Sequence, residues 1–228
     1  MAGGVFGPAA EPIVIDVWSD VVCPFCYLGM ATLHQAVDRF PHGSAVQVRH
    51  HSFQLNPGLP AGFATKATDY LLEHHGMSKA QAAASHGQIT GRGRELGLDY
   101  RFDDSMMVNT LDAHRLIHFA AAAGQERAMV DRLFKAEFTD GLNLADHTVL
   151  ADLAAELGLD RDAASEALAS GAYQKEVDLD LARAREIGIS GVPFFVFDDK
   201  RAVSGAQPVE LFLRALDMSW QDRAATPA

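Results

Sequence analysis

Apolar and polar positions along the chain follow two periods, and the change from one to the other is marked. Ile13-Val14-Ile15-Asp16-Val17-Trp18 is a short β-branched run between Pro12 and Ser19-Asp20, which predicts a buried strand. Leu28, Leu33, Ala36, Val37 and Phe40 then recur at spacings of three to five residues, predicting a helix from about Pro24 to a stop at Pro41. Residues 45–53 alternate and predict a second strand. A right-handed crossover would set these two strands parallel.

From about Pro57 to Gly188 the strand signal disappears and Ala- and Leu-rich helical segments follow one another. One covers 68–75 and ends at Gly76. The next opens on Ser78-Lys79-Ala80-Gln81, a capping-box pattern, and is interrupted by Gly87, Gly91 and Gly93. Another starts at Asn109 or Thr110 and is closed by Gly124, and further ones cover 126–138, 147–157, 161–169 and 174–187. The strand pattern returns in Val192-Pro193-Phe194-Phe195-Val196-Phe197, a turn at Asp198-Asp199-Lys200, and Arg201-Ala202-Val203-Ser204, which together predict an antiparallel hairpin. A last amphipathic helix covers 209–216. This is the element order of an α/β, thioredoxin-like fold with a large all-helical insertion. Residues 12–56 and 188–218 form the thioredoxin-like parts, 57–187 the insertion, and 1–11 and 219–228 flexible termini.

Composition narrows the class. With 228 residues and 48% apolar content the chain can bury a sizeable core. Acidic residues outnumber basic ones by 30 to 19, a net charge of −11, which argues against nucleic-acid binding. The first Lys or Arg is Arg39, so the opening lacks the basic start of a secretory signal. No segment approaches the roughly 20 apolar residues needed to span a bilayer. The expected location is the cytoplasm, where a disulfide is more often transient and catalytic than structural.

The only two cysteines stand in Cys23-Pro24-Phe25-Cys26, between the first strand and the first helix. The thiolate is the reactive form of sulfur, and the unpaired N–H groups at a helix start stabilise it. Pro24 suits the first helical position. Cys23 is therefore the candidate attacking thiol and Cys26, one turn inward, the resolving thiol. Inert packing and half of a zinc site are the alternatives; the latter lacks a second ligand pair nearby.

Gly188-Ile189-Ser190-Gly191-Val192-Pro193 is the candidate second half of the site, since the predicted sheet brings it to the cysteines. A proline that opens a strand after a Gly-rich turn is a candidate cis residue, the alternative being a trans proline starting an edge strand. In the cis case the Val192 backbone lies beside Cys23, where an extended peptide can pair with it. Pro24, Phe25, Val192 and Pro193 are thus candidate substrate-binding residues. Asp20 is a candidate proton acceptor for Cys26 or a loop cap, and Asp16 a candidate buried acid whose face alternation leaves open. His114 with His118, His50-His51 and His74-His75 carry no zinc-protease pattern, so no metal site is assigned. Phe25, Tyr27, Phe53, Phe63, Met106, Met107 and Phe194 can wall the sulfur, most of them as core.

These motifs carry a family resemblance. Asp20-Val21-Val22-Cys23-Pro24-Phe25-Cys26-Tyr27-Leu28-Gly29, Asn109-Thr110-Leu111-Asp112-Ala113-His114-Arg115 and the segment 188–194 resemble the DsbA family of thioredoxin-fold proteins over roughly residues 12–216. More closely, the chain resembles its cytoplasmic FrnE-like branch, related to 2-hydroxychromene-2-carboxylate isomerases and kappa-class glutathione transferases. The resemblance implies thiol–disulfide oxidoreductase activity on protein or small thiols, with glutathione or a thioredoxin-like protein as electron partner and no organic cofactor. The isomerase and kappa branches have serine where Cys23 stands, so keeping both cysteines favours exchange. A glutathione-dependent isomerase or transferase acting on a small aromatic molecule is the first alternative, and a peptide- or metal-binding chaperone the second. Periplasmic DsbA proteins have His where this chain has Phe25, and that missing cation weakens the expectation of a strong oxidant.

Overall fold

The computed structural model describes residues 11–224; the expectations for residues 1–10 and 225–228 lie outside the described residues. The chain opens with β1 (Ile13–Ser19), α1 (Pro24–Arg39) and β2 (Val46–Ser52). The insertion follows as β3 (Ala64–Lys66), α2 (Ala67–His74), α3 (Lys79–Glu95), β4 (Met106–Val108), α4 (Leu111–Ala122), α5 (Glu126–Lys135), α6 (His147–Glu156), α7 (Arg161–Ser170) and α8 (Gln174–Glu186). It closes with β5 (Phe194–Phe197), β6 (Arg201–Ser204) and α9 (Val209–Ala224).

The main sheet has the order β2-β1-β5-β6. β1 pairs in parallel with β2, Ile13 opposite Val46 through Ser19 opposite Ser52, and antiparallel with β5, Trp18 opposite Phe194. The β5–β6 hairpin turns on Asp198 and Asp199, both at positive φ, the conformation a tight hairpin turn needs. As the central strand, β1 is buried on both faces. Ile13, Ile15 and Val17 join Met30 and Leu33 of α1 and Phe212 and Leu216 of α9 in the main core. Trp18, on the opposite face, meets Ala184 of α8, Ile189, Phe194 and Val196.

Four expectations need correction. The insertion is not all-helical: β3 and β4 pair antiparallel, Ala64 opposite Val108 and Lys66 opposite Met106. Three-residue strands are too short to show an alternation. α3 runs unbroken through its glycines, started by a capping box in which the Ser78 hydroxyl accepts from the Gln81 N–H and the Gln81 side chain accepts from the Ser78 N–H. Gly93 is there for packing, since a Cβ would stand 2.5 Å from the Tyr100 ring. The segment predicted as one helix over 126–138 leaves α-geometry at Ala136 for a π turn, Ala136–Asp140, closed by Gly141 in the left-handed region. At the other end, α9 continues past residue 218, because Arg223 reaches back to the Asp198 carboxylate and to the carbonyls of Glu11 (3.0 Å) and Pro12 (2.6 Å).

Candidate active site

Cys23 occupies the cap position of α1 with an extended backbone (φ −92°, ψ 109°), and Pro24 is the first helical residue, which sacrifices no hydrogen bond there. The Cys23 carbonyl accepts from the N–H groups of Cys26 (2.9 Å) and Tyr27 (3.3 Å), so the two thiols are separated by one turn. Both are free thiols. Cys23 keeps 5% exposure and Cys26 none, whereas Phe25 between them is 42% exposed. Burial pushes the Cys26 thiol well above the usual thiol range, and the neighbouring Cys23 sulfur adds to this; a backbone hydrogen bond from Asp20 opposes it.

β5 lies beside β1, so the loop that leads into it arrives at the start of α1. The Cys23 thiol donates to the Val192 carbonyl at 3.7 Å. The Val192–Pro193 peptide is cis. The strand begins at Phe194, two residues later than the sequence pattern predicts, because Pro193 has no N–H for the ladder; its carbonyl accepts from Gly205 N–H at 2.8 Å. A Cβ on Gly29 would lie 2.9 Å from Pro193 Cγ and 3.2 Å from Phe195 Cζ, so α1 packs on Pro193 through its glycine.

The acids separate into two places. Asp20 is fully buried beside the cysteines; its carboxylate accepts from Leu55 N–H (2.8 Å) and pairs with His114 Nε2 (3.3 Å). Asp16 is not beneath the thiols. It faces the side away from Ile15 and Val17, bonded to Arg49 (2.8 Å) and His51 (2.7 Å). Two residues that sequence reasoning missed complete the surroundings. Tyr100 donates to the Pro24 carbonyl at 2.7 Å and meets Tyr27 edge-on, while Tyr27 stacks on Phe134 and Phe138. Glu137, on the π turn, accepts from Met106 N–H at 2.7 Å; burial pushes its carboxyl up to about 8, with the Asp20 charge adding to that and the Met106 bond opposing it. No local pattern marked Tyr100, and Glu137 sat in what looked like an ordinary amphipathic helix.

The remaining candidates are dispersed. Phe53 and Phe194 lie with Trp18 on the other face of the sheet, and Met107 accepts from Asn56 through sulfur at 3.5 Å. Asn109 donates to the Leu59 carbonyl and accepts from Leu111 N–H, and Arg115 donates to the Ala167, Leu168 and Ala172 carbonyls at the end of α7. That motif is mostly a joint within the insertion, with His114 as its link to Asp20. His118 and His51 both bind Asp180, and His74 packs on the Tyr70 ring. Among the described residues no group of three or more His, Cys, Asp or Glu could hold a metal ion, and no helix is long and apolar enough to cross a membrane.

The chain as a whole is similar to known proteins. The chain is similar to a probable DsbA oxidoreductase from Streptomyces coelicolor, with 36% identity, a TM-score of 0.89, and coverage of 95% of this chain and 92% of that one. Protein YwbO of Bacillus subtilis is 29% identical over 204 residues, 89% of this chain and 94% of its own. The cytosolic disulfide reductase DsbM from Pseudomonas aeruginosa, in a structure with glutathione, shares the fold at 18% identity and a TM-score of 0.62, over 91% of this chain and 99% of that one. Residues 14–217 match the model of the DSBA-like thioredoxin domain, and the chain belongs to that family.

Proposed function

We propose that this protein is a thiol–disulfide oxidoreductase that exchanges disulfides with protein or small thiols through Cys23 and Cys26. One observation carries the reading. The thiol at the start of α1 retains contact with solvent and lies 3.7 Å from the Val192 carbonyl, while the second thiol is sealed one turn behind it. In the oxidising direction a partner thiolate attacks the Cys23 sulfur of the Cys23–Cys26 disulfide, and Cys26 leaves as a thiolate that takes up a proton. A second partner thiol then attacks the mixed disulfide, releasing Cys23 as a thiolate and the partner as a disulfide. In the reducing direction Cys23 thiolate attacks the partner disulfide, and Cys26 gives up its proton, attacks the Cys23 sulfur and expels the partner thiolate. Asp20, buried beside the cysteines, accepts the Cys26 proton on this reading.

Val192 and Pro193 hold the partner chain on this reading, with the Val192 backbone edge receiving an extended segment and exposed Phe25 supplying an apolar contact. Pro24 fixes the turn that presents both. Sulfur exchange requires no organic cofactor, and glutathione or a thioredoxin-like protein serves as electron partner. The cytosolic description of DsbM fits a cytoplasmic setting.

Titration of the purified protein in glutathione buffers, followed by mass measurement of acid-trapped samples, tests this. The expected result is a reversible loss of two hydrogens in the wild type, a persistent glutathione adduct on Cys23 in C26S, and neither product in C23S. A dithiol that never closes would refute the proposal. Turnover of a small aromatic substrate that survives C26S would favour the isomerase alternative.

A further inference from the structure

Asp20, beside the cysteines, belongs to a set of three ionisable side chains with almost no access to water: Asp20 (0% exposed), its partner His114 (1%) and Glu137 (1%), which its charge reaches. Asp20 spends both oxygens, on Leu55 N–H and on His114 Nε2. Glu137 spends one, on Met106 N–H. Its Oε2, like His114 Nδ1, is buried without a partner among the described residues. Buried polar atoms are normally bonded, so an acid buried with an orphan oxygen calls for an explanation beyond accepting from Met106, which a glutamine would do equally well. The π turn that carries Glu137 adds to the case, because such bulges re-aim side chains and concentrate at functional sites. Like charge couples the groups in series: Glu137 feels Asp20, and the Cys26 sulfur feels Asp20. The remaining charge acting on Glu137 is Lys66 of β3, half exposed and favouring the ionised acid.

We propose that Glu137 is a positioning residue of the Cys23–Cys26 couple, acting through Asp20 on the charge that the buried Cys26 sulfur meets. This rests on the exchange reading above. With its proton in place, Glu137 leaves Asp20 to accept the Cys26 proton without the help of a neighbouring charge. Once Glu137 ionises, its negative charge raises the proton affinity of Asp20, so that Asp20 takes the Cys26 proton more readily.

Glutathione disulfide and the reduced protein supply the test. Cys23 thiolate attacks one sulfur of glutathione disulfide, whose S–S bond breaks and releases one glutathione thiolate. Cys26 then passes its proton to Asp20 and attacks the Cys23 sulfur. The Cys23–glutathione bond breaks and the second glutathione leaves as a thiolate, later protonated by water, so two electrons have moved from the protein to glutathione disulfide. The rate of this second release is followed by acid quench and mass spectrometry between pH 6.5 and 9 for wild type, E137Q and E137D, each first shown to be folded by near-UV circular dichroism. E137Q keeps an acceptor for Met106 N–H and cannot ionise. The expected result is equal rates at pH 6.5 and a wild type that runs ahead of E137Q by on the order of tenfold at pH 9, a coupling of about one pKa unit. E137D retains the high-pH advantage with its midpoint displaced. A ratio of E137Q to wild type that does not change with pH would overturn the proposal while leaving exchange intact. Should E137Q not fold, a wild-type profile reproduced without displacement by E137D would overturn it as well. A wild type that never releases the second glutathione would instead overturn the exchange reading itself.

Discussion

Adjacent histidines show how far a side chain's chemistry depends on its face. His50 and His51 are neighbours on β2 and point to opposite sides of the sheet. His50 is buried with neither ring nitrogen partnered among the described residues, and burial lowers its pKa to about 3. His34, close by on α1, is lowered by burial to about 4. An unfolded histidine titrates near 6.5, so the unfolded chain binds more protons in acid and stability falls as pH drops from about 6.5 toward those folded values. At pH 5 His50 alone is expected to cost about 2 kcal/mol relative to pH 8. His50→Leu should remove that share of the slope and leave the share of His34, and urea midpoints at pH 5 and pH 8 measure it; an unchanged difference between the two pH values would exclude His50 as a source. The sequence pair His50-His51 gave no sign of this contrast, because strand alternation says that two neighbours differ in face without saying what each face meets.

Glycines in helices are where local reading and packing part company. Gly29 and Gly87 both sit inside helices, where glycine costs about 1 kcal/mol relative to alanine. Gly87 faces open space, so Gly87→Ala is expected to stabilise by about 0.5–1 kcal/mol. A Cβ at Gly29 would meet Pro193 at 2.9 Å, and a proline ring has little room to yield. Overpacking of this kind costs about 1–3 kcal/mol, which outweighs the propensity gain. Gly29→Ala is therefore expected to lower stability by about 1 kcal/mol and, by moving α1 from the Val192–Pro193 loop, to slow glutathione exchange. Denaturant melts together with exchange rates of both variants check this, and a Gly29→Ala as stable and active as wild type would contradict the close packing. The helix boundaries themselves follow from capping residues and punctuating glycines, whereas the π turn at Ala136–Asp140 and the β3–β4 ribbon depend on what packs against them.

Across the molecule, one charged cluster fastens the insertion to the sheet. His51 Nε2 and Nδ1 each lie 2.7 Å from a carboxylate, Asp16 of β1 and Asp180 of α8. Asp180 also accepts from Ser52 N–H (2.8 Å) and pairs with His118 of α4 (3.1 Å), and Trp18 stacks on the His51 ring at 4.5 Å. Burial disfavours charge on His51, yet the hydrogen bonds to Asp16 and Asp180 prevail and raise it to about 9; at Asp180 the bonds from His118, His51 and Ser52 N–H outweigh burial and lower its carboxyl. The sign is opposite to that of His50. His51 contributes fully below its unfolded pKa near 6.5, and that contribution is lost as pH rises through about 9. The Asp180 contribution is present above about pH 4 and lost in acid. His51→Gln should cost about 2 kcal/mol at pH 7, allowing for partial exposure, and remove the alkaline part of the stability profile. Urea unfolding between pH 6 and 10 measures both, and a variant that retains the alkaline decline would assign it to another group.

Periodicity, capping signals and the Cys23-Pro24-Phe25-Cys26 turn were enough to reveal the order of the main-sheet strands and their flanking helices, the strand-to-helix setting of the thiols and the arrival of the Val192–Pro193 loop beside them. Those features arise from interactions within a few residues of one another and from the order of the elements, which a linear pattern preserves. The side on which Asp16 lies, the Asp20–His114 pair, the Tyr100 anchor on Pro24 and the burial of Glu137 arise instead from segments distant in sequence meeting around one sheet. Period and propensity state which residues are covered; the neighbour that covers them, and with it the charge each can hold, follows from the packing of the folded chain.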